Sequence, residues 1–348
     1  MRISSGLLRS AVAAALLAGT VAVALAADIT GAGATFPFPI YSKWAAAYKA
    51  QTGIGLNYQS IGSGGGIAQI RAKTVTFGAT DKPLTLGELG ASNLVQFPMV
   101  MGGVVAVVNL PGVKGGDMVL NGKVLASIFL GEITKWDDPQ IKALNSGVSL
   151  PSTAIAVVHR SDGSGTTFNF TNYLARMNPS WMGKVGSDTA VDWPTGIGAK
   201  GNEGVAGTVA QTQGAIGYVE YAYAKQNNLA FTRMYNHAGK IVSPGQATFA
   251  AAAAGAKWDK NNGFYTMLAD QPGADSWPMT AATFILMQRV AVDPAASKAA
   301  LKFFDWAYKN GKADAATLDY IPMPDNVIQV IEGSWSDIKD SGGNPVWP

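Results

Sequence analysis

The chain has 348 residues, of which 48% are hydrophobic and 14% are charged, with a formal net charge of +3 at pH 7 and no cysteine. The lack of cysteine excludes disulfides, thiolate catalysis, cysteine-ligated metals and a lipid anchor attached to cysteine. The low charge content, with no long basic block, argues against a polyanion partner such as nucleic acid.

The N-terminal segment predicts export. Arg2 and Arg9 precede an apolar run over residues 10–26, which ends on the small-x-small triplet Ala-Leu-Ala. This pattern is typical of a secretory signal peptide, here residues 1–26, while a membrane anchor is the less favoured alternative because a span needs roughly 20 apolar residues. Without Arg2 and Arg9, the mature chain has 24 basic and 23 acidic residues, a net charge of +1. A bound anion would therefore have to be held by local groups.

The first part of the mature chain predicts a glycine-rich loop that leads into a helix. Residues 28–39 are rich in glycine and proline. Ile40, Trp44 and Tyr48 then recur at helical spacing until Gly53.

A unit of strand, glycine- and serine-rich loop and helix follows, and it occurs again later. Residues 56–61 alternate as a strand, residues 62–66 form the loop, and an amphipathic helix begins near Ile67. The same order runs from a strand at 155–158 into a loop at 159–167 and a further helix. This alternation predicts α/β domains with largely parallel sheets, whose ligand crevices lie at the carboxyl ends of the strands.

Two domains are expected because a mature chain of about 320 residues exceeds a comfortable single core. Two apolar strands, 103–109 and 283–287, are candidates for crossing between lobes. If both cross, residues 27–109 plus 283–348 form lobe I, and residues 110–282 form lobe II. The alanine run at 250–254 predicts helix. Residues at helical spacing near the C terminus are expected to pack the core: Leu301, Phe304, Tyr308, Val327, Ile331 and Trp335.

Three loops share a chemistry suited to anions: residues 33–36, 62–66 and 162–166. Each offers hydroxyls and backbone N–H groups at a predicted helix start, where the helix dipole is positive and glycine lets a ligand approach the backbone. Any one of them alone is more often an ordinary turn or cap. Together they favour an anion site.

Two charged residues complete a selective site. Arg160 ends a predicted strand, where its planar guanidinium can bind two oxygens of a tetrahedral anion, and Asp162 would hold it and limit the positive charge. Asp81 ends the short strand 77–81. An ionised carboxylate only accepts hydrogen bonds, so it admits protonated phosphate or arsenate and rejects sulfate. A surface ion pair and a turn cap are the ordinary alternatives for the two residues.

Enzyme motifs are missing from the sequence. No Gly-Lys pair is followed by Ser or Thr, as a nucleotide-binding P-loop requires, and no serine lies in a Gly-x-Ser-x-Gly elbow. The only histidines are His159 and His237, which do not form a His-Glu-x-x-His zinc motif. His159 near Ser164 could act as a base, although a structural role is the commoner one. We expect a binding protein with no enzymatic activity, metal or cofactor.

Several motifs along the chain resemble the phosphate-binding protein of bacterial high-affinity phosphate ABC transporters. They lie, in the family's order, at residues 30–37, 62–66, 77–81, 160–166, 214–225 and 301–308. The resemblance covers essentially the whole mature chain. It implies a two-lobed periplasmic binding protein fold of the α/β class, with a hinge of two crossing strands and a ligand cleft that closes between the lobes.

The resemblance also implies the binding residues. The phosphate-binding positions would be Thr35, Phe36 through its N–H, Ser63, Asp81, Arg160, Ser164, Gly165 through its N–H, and Thr166. Asp162 would fix Arg160. The protein would be a periplasmic monomer that delivers inorganic phosphate, with arsenate as a mimic, to an inner-membrane ABC permease and its ATPase. Two departures from the family are His159, where relatives often carry a basic residue, and Gly64, where some have serine.

Three alternatives are left open by the sequence. The first is a receptor for another tetrahedral oxyanion such as sulfate, molybdate or arsenate. The second is a secreted phosphatase on the same scaffold, and the third is an extracellular adhesion or signalling protein.

Overall fold

The computed structural model describes residues 29–347, so the predicted signal peptide lies outside the described residues. The strands are β1 Ile29–Gly33, β2 Leu56–Ser60, β3 Phe77–Thr80, β4 Leu94–Val108, β5 Val119–Leu120, β6 Ala156–Arg160, β7 Ile197–Ala199, β8 Ala215–Glu220, β9 Ala230–Phe231, β10 Arg233–Tyr235, β11 Ile241–Val242, β12 Thr280–Gln288 and β13 Ile321–Pro322. The helices are α1 Phe38–Thr52, α2 Ser63–Arg71, α3 Leu86–Ala91, α4 Gly122–Phe129, α5 Pro139–Leu144, α6 Gly165–Met177, α7 Pro179–Lys184, α8 Gly201–Gln211, α9 Tyr221–Gln226, α10 Gln246–Ala253, α11 Pro294–Asn310, α12 Lys312–Thr317 and α13 Asp325–Ser334, with 3-10 turns at Lys260–Asn262 and Trp335–Asp337.

One mixed sheet organises the molecule, with strands in the order β2-β1-β3-β12-β4-β8-β6-β7. Its outer pairs are parallel, as predicted, but β12 runs antiparallel to β3 and β4, and β4 runs antiparallel to β8. The predicted α/β class is therefore confirmed, while the centre of the sheet is antiparallel. Strand β4 runs antiparallel to the strands on both of its sides. The sequence did not predict this, because the residue pattern within one strand does not indicate the direction of the neighbouring strand.

Strand β4 connects two halves of this sheet and is buried along its whole length. Its residues 94–103 pair with β12, and residues 104–108 pair with β8. We call β1, β2, β3 and β12 the first half, and β6, β7 and β8 the second half. The predicted crossing at 103–109 contains the point where pairing changes. The other candidate, 283–287, pairs with β3 and β4 inside the first half.

The first predicted helix is present, but the segment before it is a strand. Helix α1 ends at Gly53, which adopts φ 77° and donates its N–H to a carbonyl of the last turn. Residues 29–33 form β1 instead of a loop, because they pair on both sides with β2 and β3. Glycine is required here for packing, since a Cβ on Gly31 would lie 2.2 Å from the Phe77 ring.

The C-terminal helices pack their aromatic residues into the core of the first half, as predicted. The Phe304 ring lies edge-on to Phe77, with centroids 4.9 Å apart, and to Phe97 at 5.6 Å. Trp335 contacts Phe97 from the 3-10 turn that follows the last helix. Between Ile29 and Trp347, no helix combines the length and apolar character needed to cross a membrane.

Two glycines in helices provide a matched test of this packing. A Cβ on Gly66 in α2 would lie 2.5 Å from the Gly33 Cα and 2.7 Å from the Ala32 carbonyl oxygen, which are backbone atoms that cannot turn away. Gly66→Ala should therefore lower the free energy of unfolding by about 1–3 kcal/mol. Gly207→Ala in α8, with no atom within 4 Å, should raise it by about 0.5–1 kcal/mol. Urea unfolding measures both, and equal effects would contradict the assigned packing.

Candidate anion-binding site

The three loops singled out in the sequence meet where the two halves of the sheet face each other. The first precedes α1, the second begins α2 and the third begins α6. Ser164 is the N-cap of α6 and accepts the Thr167 N–H at 3.0 Å. These residues predicted to bind the anion are each at most 3% exposed: Thr35, Phe36, Ser63, Asp81, Arg160, Ser164 and Thr166.

Direct hydrogen bonds join the two halves around these loops. The Gly165 N–H donates to Ser63 Oγ at 3.0 Å, and Asn169 Nδ2 donates to the Asp81 carbonyl at 2.8 Å. The Gly64 N–H donates to the Gly163 carbonyl at 2.8 Å. A Cβ on Gly64 would lie 3.1 Å from the Gly163 Cα, so glycine at this position permits the close approach. The two halves are therefore in direct contact around the predicted site, an arrangement that we call closed.

Arg160 is held by Asp162 through a bidentate ion pair. Arg160 Nε lies 2.7 Å from Asp162 Oδ1, and Nη2 lies 2.5 Å from Oδ2. Partial burial alone would raise the pKa of Asp162, but the hydrogen bonds and charge of Arg160 lower it below its ordinary value. The third guanidinium nitrogen, Nη1, is buried without a hydrogen-bond partner among residues 29–347. The pair thus leaves the two N–H groups of Nη1 oriented and unpartnered, and it has little net charge.

Asp81 is buried at the end of β3 and titrates near neutrality. Burial raises its pKa to about 7, against the lowering effects of the Thr283 and Ser63 hydroxyls and the Arg160 charge. Its Oδ1 has no hydrogen-bond partner in the described part of the chain. An ionised Asp81 facing the anion stays a prediction. A carboxyl with this pKa can accept or donate a hydrogen bond near neutral pH.

The serine hydroxyls are oriented as donors by the backbone. Ser63 Oγ accepts N–H groups from Asp81 at 3.2 Å and from Gly165 at 3.0 Å. With both lone pairs engaged, its O–H is left to donate elsewhere. Ser164 Oγ similarly accepts the Thr167 N–H. The Gly165 N–H, which the family resemblance assigns to the anion, donates to Ser63 in this closed form.

Buried polar residues missed by the sequence analysis surround the predicted site: Asn169, Asn202, Tyr218, Glu220, Tyr223 and Tyr320. Asn202 lies at the start of α8 and contacts Thr35 Oγ1 through its N–H at 3.2 Å and through Nδ2 at 2.6 Å. Its Nδ2 also lies 3.2 Å from Thr166 Oγ1. The Gly-Asn pair at 201–202 was a fourth helix start of the same kind. It lacks the hydroxyl-rich run that marked the other loops.

Two tyrosines hold the backbone of the first loop. Tyr223 Oη donates to the Thr35 carbonyl at 2.7 Å, and Tyr320 Oη lies 2.6 Å from the Phe36 carbonyl. The C=O and N–H of a trans peptide point in opposite directions. Holding the Thr35 carbonyl therefore directs the Phe36 N–H away from Tyr223.

Hydrogen-bond counting around Glu220 favours a neutral carboxylic acid, although its Oε2 also accepts the Ala222 N–H at 2.9 Å. Tyr320 Oη lies 2.8 Å from Glu220 Oε2 and also contacts the Phe36 carbonyl, but a phenol has only one hydrogen to donate. Both contacts are satisfied if Glu220 donates to Tyr320 and Tyr320 donates to Phe36. Burial raises the pKa of Glu220 well above its ordinary value, which agrees with this assignment.

His159 occupies a structural position beside the site. Its ring stacks on Trp193 with centroids 4.7 Å apart, and its Nδ1 lies 3.0 Å from the Arg160 carbonyl. Burial lowers the pKa of His159. Across residues 29–347, no group of three or more His, Asp or Glu side chains could hold a metal ion.

The chain matches the PBP superfamily domain over residues 16–310. It is 53% identical over 335 residues to the Phosphate-binding protein PstS of Pasteurella multocida, covering 96% of this chain and 97% of that protein. The fold matches an ancestral soluble variant of the human phosphate binding protein, with a TM-score of 0.71, 22% identity and coverage of 92% and 98%. It also matches an ABC-type phosphate transport receptor from Vibrio cholerae, with a TM-score of 0.53, 20% identity and coverage of 85% and 100%. The chain belongs to the PstS family of phosphate-binding proteins and has the two-lobed α/β fold of that family.

The neutral state of Glu220 predicts a specific pattern of stability. Glu220→Gln should keep the free energy of unfolding within about 1 kcal/mol at acidic pH, whereas Glu220→Ala should lower it by about 2–4 kcal/mol. A carboxyl whose pKa is raised by folding stabilises below the unfolded pKa, near 4.3, and loses that stabilisation as pH rises towards the folded pKa. The wild type should therefore lose stability relative to Glu220→Gln above about pH 4.3. Denaturant unfolding across pH measures this difference, and one that does not change with pH would refute the assignment.

Proposed function

We propose that this protein is a periplasmic receptor that captures inorganic phosphate between its two lobes, releases it unchanged and presents it to an inner-membrane ABC permease driven by an ATPase. The ligand would be surrounded by Thr35, the Phe36 N–H, Ser63, Asp81, Arg160, Ser164, Gly165 and Thr166. Membership in the PstS family supports the function, and the predicted signal peptide supports export to the periplasm.

The observation that carries this proposal is a pair of unsatisfied buried atoms at the contact between the halves. Arg160 Nη1 can only donate a hydrogen bond, and Asp81 Oδ1 accepts one when ionised. Buried polar atoms are normally hydrogen-bonded, so two unpartnered atoms that lie together at this contact are candidates for completion by a ligand. Hydrogen phosphate offers several acceptor oxygens and one O–H donor, which matches this combination.

The distribution of charge at the site suits a dehydrated anion that is bound mostly by N–H and O–H dipoles. Asp162 neutralises most of the Arg160 charge, so the site holds one fixed cation with its counter-ion. The anion would then be stabilised by N–H groups at helix starts and by hydroxyls whose hydrogens the protein orients. Such an arrangement binds a charged group without leaving an unpaired cation buried when the ligand departs.

Release would require the lobes to separate. We assign residues 27–109 plus 283–348 to lobe I and residues 110–282 to lobe II, with β4 as one crossing strand. Two ion pairs bridge this division at its rim: Lys82 Nζ to Asp188 Oδ1 at 2.8 Å, and Lys225 Nζ to Asp319 Oδ2 at 2.5 Å. Both include exposed groups, so they break at little cost on opening.

Calorimetry of the wild type tests the proposed ligand and its selectivity. Phosphate and arsenate should bind at about pH 8.5, and sulfate should be rejected because ionised Asp81 would face an oxygen without a proton. Below about pH 7, Asp81 takes up a proton and can donate to sulfate. Sulfate binding should therefore emerge at about pH 5.5. Absence of phosphate binding would refute the function, and sulfate affinity that is the same at both pH values would refute the role of Asp81.

Asp81→Asn separates the proton-acceptor role from simple packing. The amide is close in shape but can donate through Nδ2 at any pH. The variant should bind sulfate at about pH 8.5 as well as at about pH 5.5, with only a modest loss of phosphate affinity. Continued rejection of sulfate at the higher pH, in a folded variant, would show that Asp81 does not set the selectivity.

Arg160→Lys tests the oriented guanidinium while keeping the charge. An ammonium cannot form the same bidentate contact with Asp162 and still direct a donor at the ligand. Phosphate affinity should fall about 10- to 100-fold. Arg71→Lys, on an exposed turn of α2, is the matched control and should leave affinity unchanged. Equal phosphate affinities of the two variants would show that the Arg160 guanidinium does not bind the ligand.

A further inference from the structure

We infer that Asn202 is a positioning residue that makes the hydroxyls of Thr35 and Thr166 hydrogen-bond donors towards the ligand. This inference rests on the proposed phosphate-binding function. It adds to that site a residue that contacts two of the proposed ligand-binding side chains. Asn202 is fully buried and lies at the start of α8, in the second half of the molecule.

The orientation of the Asn202 amide follows from its partners. Asn202 Oδ1 lies 2.9 Å from the backbone nitrogen of Glu220. A backbone N–H can only donate, so the amide atom facing Glu220 must be the oxygen. The Nδ2 group is therefore on the other side of the amide, where it reaches Thr35 Oγ1 at 2.6 Å and Thr166 Oγ1 at 3.2 Å.

This orientation decides which way the threonine hydroxyls act. Thr35 Oγ1 receives both the Asn202 N–H and Nδ2, which engages its two lone pairs. Its hydrogen must then point to another acceptor. Thr166 Oγ1 accepts one hydrogen bond from the same amide. Both threonines are at most 1% exposed, so no bulk water competes for these hydrogens.

The consequence is a division of roles inside the site. The two threonines donate to ligand oxygens that carry no hydrogen, so the protonated oxygen of phosphate is directed to Asp81. Thr35 belongs to the first half and Asn202 to the second, so the Thr35 hydroxyl is oriented only when the halves are together. Asn202 thereby links closure to the formation of a complete donor set.

A double-mutant cycle tests whether Asn202 acts through the threonines. Asn202→Ala should weaken phosphate binding about 10-fold in the wild-type protein, but less than about 2-fold when Thr35→Val and Thr166→Val together have already removed both hydroxyls. The control is Asn169→Ala, which removes a buried amide at the same interface that donates to the backbone of Asp81 and Gly165. Its effect should be the same with or without the threonine substitutions.

The outcomes distinguish this inference from the function on which it rests. If the wild type binds no phosphate by calorimetry, the proposed function fails. If the wild type binds and the losses from Asn202→Ala and the threonine substitutions simply multiply, the function stands and the positioning role of Asn202 is refuted. Should Asn202→Ala not fold, Asn202→Ser enters the same cycle, because its hydroxyl can still accept the Glu220 N–H. Thermal unfolding of every variant identifies the folded ones.

Discussion

The buried ion pair between Arg160 and Asp162 constrains how this protein can hold an anion. The guanidinium is fixed on two nitrogens by the carboxylate, so a single nitrogen, Nη1, is left to face the site. The surrounding loops fit closely around the pair. A Cβ on Gly62 would lie 2.2 Å from Asp162 Oδ2, and the Gly201 N–H donates to Oδ1 at 3.0 Å. Because the pair has little net charge, attraction for an anion must come from oriented N–H and O–H groups.

Two buried carboxyls and one partly buried carboxyl show how the environment shifts the pKa values of similar groups in different directions. Asp162 is paired with Arg160, which lowers its pKa. Glu220 has no cation beside it, and burial raises its pKa well above the ordinary value. Asp81 lies between these cases, with a pKa of about 7, because burial is opposed by hydroxyls and by the Arg160 charge. Asp162 thus orients the cation and Glu220 lies against the tyrosine that contacts the Phe36 carbonyl, while discrimination between ligands is the role proposed for Asp81.

The contact between the halves consists of hydrogen bonds whose donor lies in one half and whose acceptor lies in the other. Ser63 receives the Gly165 N–H, Thr35 receives the Asn202 amide, and the Asp81 carbonyl receives Asn169. Each of these bonds also sets the direction of a group that faces the proposed ligand. In the proposed function, closure and ligand recognition would therefore be coupled through the same atoms.

The sequence by itself was sufficient to predict the α/β class, the helices from Ile40 and Leu301, and three glycine- and hydroxyl-rich helix starts. It also suggested that Asp162 lies against Arg160, because residues two apart at the end of a strand are close in any fold. It did not reveal strand β1, whose glycines resemble a loop until Phe77 is packed against them. It also missed the antiparallel centre and Asn202, because these depend on partners far apart in the chain: Thr35 and Asn202 are separated by 167 positions. Local pattern reports neighbours along the chain, whereas only the tertiary structure decides which donor meets which acceptor across the two halves.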